Sequence, residues 1–362
     1  MSRYAIARHV YFVEEPIFHN GDAGPTLTIE PHGQVIVVVP QLPATFTTAQ
    51  TLAAQRTLLN QLIADERITR YALWYYTPAA LRFTDHLMPE TVVYDCMDEL
   101  SAFKHADPEL PALERALFRR ADLVLTGGHS LYEAKKHLHS NIHPMPSSVD
   151  VEHFAAARRC KDAPPDQQAI PHPRLGFFGV LDERLDLHLL AGIADAKPHW
   201  QLIMVGPVVK IDPADLPRRP NIHYLGPKSY IELPRYIAGW DVALVLFARN
   251  EATRFISPTK TPEYLAAGKP VVSTSIRDVV NPYEELGLVR IADSVTDFVR
   301  ACEGALTEEP ATRRARADAF LRTTSWDRTW SKTALLLQAS EPKRGRIRPA
   351  RMERTAGLSL GA

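Results

Sequence analysis

Short runs of hydrophobic, often β-branched residues alternate with stretches of helical periodicity along most of the chain. Most of these runs are hydrophobic throughout rather than at every second position, which is typical of parallel strands covered by helices on both faces. The pattern therefore predicts an α/β fold with parallel sheets. The predicted strands are Val10–Val13, Val35–Val39, Leu73–Tyr76, Val92–Tyr94, Leu123–Thr126, His143–Met145, Leu175–Phe178, Leu202–Val205, Ile222–Tyr224, Val242–Phe247, Val271–Thr274 and Val289–Ile291. The predicted helices are Thr48–Asp65, Pro111–Arg120, Leu131–His139, Leu185–Ala194, Tyr230–Ile237, Lys260–Ala267 and Val295–Leu306.

This rhythm occurs twice, which predicts two domains, residues 1–154 and 174–322. Residues 155–173 are polar, proline-rich and without periodicity, so we interpret them as the linker. Residues 323–340 have the pattern of an amphipathic helix. Residues 341–362 carry six basic and two acidic residues, and we expect a disordered tail, with a peripheral contact to an anionic membrane as the alternative.

Composition narrows the class of protein. The 362 residues have a formal net charge of zero, which argues against a nucleic-acid partner. The three cysteines lie far apart without CxxC spacing, so neither a disulfide framework nor a zinc site is expected. No hydrophobic run reaches membrane-spanning length and no signal peptide is evident, so the expectation is a cytoplasmic protein.

Ligands of open parallel sheets bind beyond the carboxyl ends of the strands. Gly179 follows the strand ending at Phe178, and Arg184 lies near the start of the next helix. A glycine admits a ligand close to the backbone, and an arginine binds phosphate through two parallel hydrogen bonds. The alternative is a surface turn in which Arg184 pairs with Asp182 or Asp186. Gly206 also follows a strand, where a purely structural role is the alternative to a ligand contact.

The segment "ISPTKTPEYLAAGKPVVST", residues 256–274, predicts a short helix followed by a strand. Ser257 is expected to cap the helix, with Pro258 at its first position. Lys260 and the helix amides would then form a diphosphate site, and the carboxylate of Glu263 would accept hydrogen bonds from the two hydroxyls of a ribose. The alternative is a surface unit in which Lys260 and Glu263 face solvent.

This segment, together with "GVLDER", "VVYDCMDELSAF", "ADLVLTGGHSLYEAKK" and "SSVDVEHF", resembles the retaining nucleotide-sugar glycosyltransferases of the GT-B fold. The likeness is to bacterial enzymes of the family-four type, including those of teichuronic-acid or capsular polysaccharide synthesis, and it spans roughly residues 5–340. It implies two facing doubly wound Rossmann-like domains. The second would bind the nucleoside-diphosphate sugar and the first a saccharide or lipid-linked acceptor. A C-terminal helix would cross back to the first domain.

Carried over by position, the resemblance implies that Glu263 holds the donor ribose. Thr259, Lys260 and the backbone after Pro258 would hold the diphosphate, with Gly179 and Arg184 opposite. The turn at residues 225–230, which contains Gly226, would border the nucleobase. No cofactor is implied, because the nucleotide-sugar is itself the donor substrate.

The sequence departs from this family at several points. Many relatives have a glutamate where this chain has Phe255, so an acid that contacts the donor sugar is absent or is supplied elsewhere, for instance by Glu251. No first-domain histidine can be assigned to the reacting carbon. Asp98 is the substitute, as acceptor of the hydroxyl proton or as an orienting group, with a helix N-cap as the alternative. We interpret His129 as a turn residue.

The chain begins inside the family's first helix, so we expect the first, central strand of the N-terminal domain to be missing. A truncated start, through a misassigned initiation codon or gene degradation, is the corresponding hypothesis.

No Asp-x-Asp motif occurs anywhere in the sequence, so we expect transfer without a metal ion. Cationic side chains and helix ends would instead stabilise the leaving diphosphate. Two alternatives stay open at this point. One is a nucleotide-sugar epimerase or hydrolase of the same fold. The other is a nucleotide-sugar-binding partner that has lost catalysis, which Phe255 and the missing strand favour.

Overall fold

The structure is a computed structural model that describes residues 1–160 and 162–340. The strands are β1 Val10–Val13, β2 Ile17–His19, β3 Thr26–His32, β4 Val35–Pro43, β5 Ala72–Tyr75, β6 Thr91–Cys96, β7 Leu123–Thr126, β8 Ile142–Pro144, β9 Arg174–Phe178, β10 Gln201–Val205, β11 Ile222–Gly226, β12 Val242–Val245, β13 Val271–Ser273 and β14 Val289–Ile291. The α-helices are α1 Ser2–Ala5, α2 Thr48–Asp65, α3 Leu81–Thr84, α4 Leu110–Arg120, α5 His129–Lys135, α6 Val151–Ala155, α7 Pro165–Gln168, α8 Leu187–Ala196, α9 Leu233–Ala238, α10 Lys260–Ala266, α11 Arg277–Val279, α12 Val295–Leu306, α13 Pro310–Leu321 and α14 Trp326–Ser340.

The second domain is built on one six-stranded parallel sheet with strand order β11-β10-β9-β12-β13-β14. Successive residues of each strand enter different cores: Phe178 and Val205 pack with α9 and α10, whereas Phe177 and Met204 pack with α8 and α12. Burial on both faces explains why these strands are hydrophobic throughout. The strand order reverses between β9 and β12, and in doubly wound sheets the ligand crevice lies at this point.

The first domain contains two separate four-stranded sheets. One is the parallel array β5-β6-β7-β8; in the other, β4 pairs with β1 and β2 in parallel and with β3 antiparallel. The sequence pattern did not predict β2 or β3. Rings of Phe12 and Tyr76 lie 6.0 Å apart between the two sheets, and no strand within the described residues pairs with both β1 and β5. The predicted absence of a first strand stays a prediction.

Residues around the predicted linker fold onto the second domain. Val149, Phe154, Ala157 and Ile170 all belong to a buried core of that domain. The helix α6 ends at Ala155, where the predicted linker begins, and α7 lies within the linker, so part of the linker is helical.

The C-terminal helix α14 crosses back to the first domain, as expected for the GT-B fold. Leu337 packs against Val93, Leu123 and Leu125 of the first-domain sheet. The amide of Asn141 donates a 3.0 Å hydrogen bond to Ser340 Oγ at the end of the helix. The predicted tail, residues 341–362, lies outside the described residues.

The two domains contact each other directly. Phe255 of the second domain packs against the first-domain core that contains Tyr75 and Phe118. The Asp278 carboxylate accepts a 2.9 Å hydrogen bond from the backbone amide of Ser130 at the start of α5. Ser147 Oγ donates a 2.6 Å hydrogen bond to the carbonyl of Ser257. The structure thus has a narrow cleft between the sheets rather than two independent bodies.

Candidate active site

A cavity of about 440 Å³ lies between the domains. Five of the residues predicted from the sequence line it: Asp98, Arg184, Pro258, Thr259 and Lys260. They come from the loop after β6, from the loop after β9 and from the start of α10 with the residues just before it. The fold therefore brings these side chains together at the carboxyl edge of both parallel sheets.

Lys260 is the first residue of α10, and its ammonium group lies among aromatic rings. Its Nζ is 5.4 Å from the centre of the Phe177 ring and 5.2 Å from that of Phe247. Burial lowers the pKa of Lys260 to about 8, against the opposing attraction of Glu263. An anion in the cavity would restore the charge that burial disfavours.

The prediction that Ser257 caps this helix was wrong. The N-cap is Thr259, in helical conformation and without a capping side-chain bond. Ser257 instead bonds across the cleft, because its carbonyl and Oγ accept from Ser147 Oγ and Ser147 N at 2.6 and 3.4 Å. The Ser257 hydroxyl therefore takes part in the contact between the domains and, contrary to the prediction from the sequence pattern, does not cap the helix.

Glu263 lies one turn into α10 with a polar atom that has no partner. Its Oε2 is buried and makes no hydrogen bond. Burial raises the pKa of Glu263 to about 7, although nearby Lys260 acts in the opposite direction. A buried oxygen without a partner is costly, and hydroxyl donors from a ligand would satisfy it.

The glycines that follow β9 and β10 allow the backbone to pass closely. Gly179 and Gly206 have φ of +139° and +147°, values that residues with a side chain rarely adopt. A Cβ at Gly179 would overlap Cε of Lys260, and a Cβ at Gly206 would overlap the carbonyl of Gly179. Gly206 N also donates to Gly226 O at 2.9 Å, so the turns after β9, β10 and β11 stack on one another.

Arg184 pairs with Asp182, as the alternative interpretation of the sequence predicted, and its phosphate-binding role stays a prediction. Its Nε and Nη2 donate to the Asp182 carboxylate at 3.0 and 2.6 Å, and Asp182 is only 5% exposed. Yet Arg184 also lines the cavity. The Arg184 guanidinium lies 5.8 Å from the centre of the Phe103 ring, which belongs to the first domain. The ammonium of Lys210, a second-domain residue like Arg184, lies 5.5 Å from the same ring. Asp182 therefore fixes Arg184 at the domain boundary.

Asp98 faces Arg184 from the first domain. Burial raises the pKa of the Asp98 carboxyl, and the positive charge of Arg184 lowers it. Asp98 is not a helix N-cap, since Glu99 precedes the short 3₁₀ turn Leu100–Ala102. Glu99 pairs with Lys135 at 2.8 Å, which anchors the loop that carries Asp98.

Sequence reasoning missed Asp95, which also lines the cavity. Its Oδ2 accepts a 3.1 Å hydrogen bond from Trp74 Nε1, and burial raises the pKa of Asp95 to about 6. Its position near the carboxyl end of β6 was a usable signal, although Asp98 beyond the strand was chosen instead.

The cavity lining does not include the predicted site residues Gly179, Gly206, Gly226 and Glu263, and three other residues discussed from the sequence also lie elsewhere. Phe255 packs on the first-domain core, and Glu251 is exposed and 3.3 Å from Arg254. His129 is an exposed residue at the start of α5. Glu251 therefore supplies no acid to the cavity in place of the glutamate that Phe255 replaces.

The comparisons with known proteins decide the class of protein. Residues 172–308 match the family described as "Glycosyl transferases group 1". The putative teichuronic acid biosynthesis glycosyltransferase TuaH of Bacillus subtilis (strain 168) is 27% identical, over 75% of this chain and 72% of the relative. These matches indicate a glycosyltransferase enzyme.

Solved structures place this glycosyltransferase in the GT-B fold. Sucrose-phosphate synthase from Thermosynechococcus elongatus has a TM-score of 0.67 at 14% identity, covering 93% of this chain and 90% of that one. The structure of trehalose-6-phosphate from E. coli bound with UDP-2-fluoro glucose has a TM-score of 0.68 at 13% identity, covering 93% of this chain and 95% of that one. Anabaena HepE in complex with UDP has a TM-score of 0.62 at 17% identity, covering 84% and 86%.

Within residues 1–160 and 162–340, no helix is both long and apolar enough to cross a membrane. Across the same ranges, no three His, Cys, Asp or Glu side chains are grouped so that they could hold a metal ion.

Proposed function

We propose that this enzyme transfers a sugar, with retention, from a nucleoside-diphosphate sugar to a saccharide or lipid-linked acceptor in cell-surface polysaccharide synthesis. The observation that carries the proposal is the unpartnered, buried Oε2 of Glu263 beside the enclosed ammonium of Lys260. A carboxylate and a cation at the crevice of a doubly wound sheet suit a ligand that has both a diol and a diphosphate.

Each part of the donor has a complementary group. Glu263 accepts hydrogen bonds from the ribose hydroxyls, while Lys260, Thr259 and the backbone after Pro258 hold the diphosphate, with Arg184 opposite. Gly179 and Gly206 let the turns at the strand ends pass close to Lys260 and to each other beside the donor, and Gly226 borders the nucleobase. The UDP ligands named for two proteins of the same fold support a nucleotide donor.

The proposed chemistry depends on stabilising the leaving group. Negative charge grows on the β-phosphate as the sugar leaves, and Lys260 and Arg184 are placed to compensate it without a metal ion. Asp98 orients the acceptor hydroxyl from the opposite domain. The absence of Asp-x-Asp from the sequence supports metal-independent transfer. We place the enzyme in the cytoplasm, with peripheral contact at the inner membrane face where a lipid-linked acceptor is used.

Calorimetric titration with UDP, GDP and UDP-glucose, each with and without EDTA, tests the proposal. We expect wild type and the exposed-site control Glu251→Gln to bind at least one of them equally well with EDTA, and Glu263→Gln to bind at least tenfold more weakly. Failure of all three ligands to bind wild type, or equal binding by Glu263→Gln, would refute the donor site.

A second measurement separates transfer from the alternatives that the sequence left open. Release of nucleoside diphosphate from the bound donor is expected only when an acceptor is added. Release without acceptor would indicate a hydrolase. Binding without any release would indicate a nucleotide-sugar-binding partner, the role favoured by Phe255 in place of an acid.

A further inference from the structure

One first-domain loop reaches across the cleft to the second domain. Residues 97–103, which we name the bridging loop, lie between β6 and α4. They include Asp98, whose carboxyl feels the positive charge of Arg184, and Phe103. The guanidinium carbon of Arg184 is 5.8 Å from the centre of the Phe103 ring, and the ammonium nitrogen of Lys210 is 5.5 Å from it. Both distances are within the range of a cation–π contact.

Core packing does not explain the position of the Phe103 ring. The residue is half-buried, and the hydrophobic cores formed by the described residues do not include it. An aromatic ring outside any core leaves apolar surface in contact with water, which is unfavourable. The contacts with the two cations offset this cost.

The two turns that supply the cations form one unit of the second domain. Arg184 follows β9 and Lys210 follows β10. Leu181 N donates to Pro207 O at 2.9 Å, and Val209 N donates to Leu181 O at 3.1 Å, so backbone hydrogen bonds join the turns. Lys210 also has a φ of +64°, which is uncommon for a residue with a side chain and costs free energy. The second domain thus presents both cations to the ring from a single surface.

The bridging loop itself is fixed to the first domain. Glu99 pairs with Lys135 at 2.8 Å, and Lys135 also pairs with Glu114 of α4 at 2.7 Å. The Lys135 side chain is only 6% exposed, so this double ion pair lies inside the domain. Beyond the loop, Ala106 N donates to Phe103 O at 3.1 Å. The ring is therefore held by the first domain while its face contacts the second.

An aromatic ring suits this place because it attracts a cation without carrying a charge. The negative face of the ring stabilises a guanidinium electrostatically. Arg184 already has one carboxylate, that of Asp182 at 2.6 Å. A further carboxylate in place of the ring would also hold Arg184, but it would repel a diphosphate bound beside it. The uncharged ring fixes the guanidinium and leaves its positive charge for the ligand.

We propose that Phe103 is a positioning residue for Arg184: its ring holds the guanidinium at the cavity, from the opposite domain, through a cation–π contact. This inference rests on the proposed function, in which Arg184 compensates the charge of the donor diphosphate. Because the ring and the cation belong to different domains, the contact forms only when the cleft is closed. Closure of the cleft and placement of the cation therefore occur together.

The contact itself is tested on the full chain without a nucleotide. The Nε–H resonance of Arg184 is recorded by proton–nitrogen NMR on arginine-labelled protein and assigned by its absence from Arg184→Lys. Asp182 accepts from this N–H at 3.0 Å, which slows its exchange with water. We expect the ring-current shift of the resonance to be lost in Phe103→Leu and retained in Phe103→Tyr. Phe18→Leu, at an exposed site on β2, is the control.

Calorimetry with UDP and GDP tests the consequence for the diphosphate. We expect Phe103→Leu to bind the better of the two nucleotides at least threefold more weakly than wild type, and Phe103→Tyr and Phe18→Leu to bind it as wild type does. In the Arg184→Ala background, Phe103→Leu should cause no further loss, because a residue that acts through Arg184 has no effect once Arg184 is removed. Thermal unfolding checks that each variant is folded.

An Arg184 resonance that is unchanged in Phe103→Leu would overturn the inference, and so would wild-type nucleotide affinity in that variant. An equal loss of affinity from Phe103→Leu with and without Arg184 would also overturn it, since such a loss would be structural and independent of the cation. If wild type binds neither UDP nor GDP, the proposed function is refuted, and the resonance alone decides whether the ring holds Arg184.

Discussion

Lys260 and Glu263 titrate in opposite directions from their ordinary values. Burial lowers the pKa of Lys260 to about 8 and raises the pKa of Glu263 to about 7. Each shift means that the folded protein disfavours the charged form of that residue. The ligand-free protein therefore holds two charges at a cost in stability, a pattern that is common at functional sites.

Replacement of Glu263 by glutamine is expected to stabilise the ligand-free protein at high pH. The pKa of Glu263 is raised from 4.5, so its folded form binds more protons, and stability falls as pH rises from about 4.5 to about 7. A glutamine at this position does not ionise, so the variant does not lose stability in this way as the pH rises. Urea unfolding should show Glu263→Gln more stable by about 1–3 kcal/mol at pH 8, and nearly unchanged at pH 4.5. Part of the gain is offset because Lys260 loses its counter-charge.

The exposed variant Glu251→Gln serves as the control and should show no such pH-dependent difference. An equal stability change for Glu263→Gln at both pH values would contradict the assignment of the raised pKa.

The same pair is expected to set the pH dependence of donor binding. Below about pH 7 Glu263 gains a proton and loses acceptor capacity, and above about pH 8 Lys260 loses its charge. Affinity for UDP-glucose should therefore peak between these values and fall on both sides. Calorimetry from pH 5.5 to 9.5 measures this, and a nucleotide-sugar avoids the ionisation of a terminal phosphate.

Glu263→Gln should lack the acidic limb of this profile while keeping the basic one. A flat wild-type profile would exclude both groups from donor contact.

Removal of either cation is expected to slow transfer. Lys260→Ala and Arg184→Ala should each lower turnover by roughly a hundredfold or more, because a charge developing on the leaving diphosphate loses its compensation. Steady-state release of nucleoside diphosphate measures the effect. Lys197→Ala and Arg219→Ala, both taken from surface ion pairs, are the matched controls. Wild-type rates in both cleft variants would rule out the assignment.

At the scale of elements, the sequence predicted those helices and strands whose own hydrophobic pattern reflects their burial. The strands β9, β12 and β13 are hydrophobic because both of their faces are buried. The edge strand β14, although its Arg290 is exposed, also matched its predicted bounds. By contrast, β3 has the sequence TLTIEPH and is mostly exposed, so its pairing with β4 gave no hydrophobic signal. The helix α13 was missed for the related reason that its outer surface is rich in arginine and few of its residues are buried.

The turn after β9 is expected to be sensitive to a single methyl group. A Cβ in Gly179→Ala would overlap Cε of Lys260 and displace that side chain from the cavity. The substitution should weaken UDP-glucose binding at least tenfold and lower stability by about 1–3 kcal/mol through strain at φ +139°. Calorimetry and urea unfolding measure the two effects.

Gly33→Ala is the matched control, since Gly33 also has a positive φ, +63°, but no atom within 4 Å of the added Cβ. It should lose stability without losing affinity. Unchanged donor affinity in Gly179→Ala would show that Lys260 is not held by this turn.

At the scale of the whole molecule, the site depends on contacts that no single element encodes. Phe255 marks a departure from the family pattern in sequence, yet in the structure it joins the domains through the core around Tyr75. Asp95 gains its surroundings from Trp74 on a neighbouring strand and from helix α14. Such pairings arise only after the chain has folded back on itself, so sequence periodicity did not indicate them.

Truncation of Phe255 is expected to loosen the cleft without unfolding either domain. Phe255→Ala removes apolar contact worth about 1–3 kcal/mol from the boundary between domains. Small-angle X-ray scattering should then show a larger radius of gyration, and UDP-glucose affinity should fall. Leu335→Ala, at a site 67% exposed on α14, is the control. An unchanged radius of gyration would argue against a role for Phe255 in closure.

The return of α14 to the first domain means that the polypeptide passes between the domains twice. One passage lies between Met145 and Val149, and the other between Leu321 and Trp330. Two such connections are expected to define a hinge axis. Rotation of the domains about the line through both connections strains neither of them, whereas rotation about any other axis strains at least one. Opening of the cleft should therefore be a rotation about one axis, in which Asp98 of the first domain and the cations of the second domain separate and then return to the same relative positions.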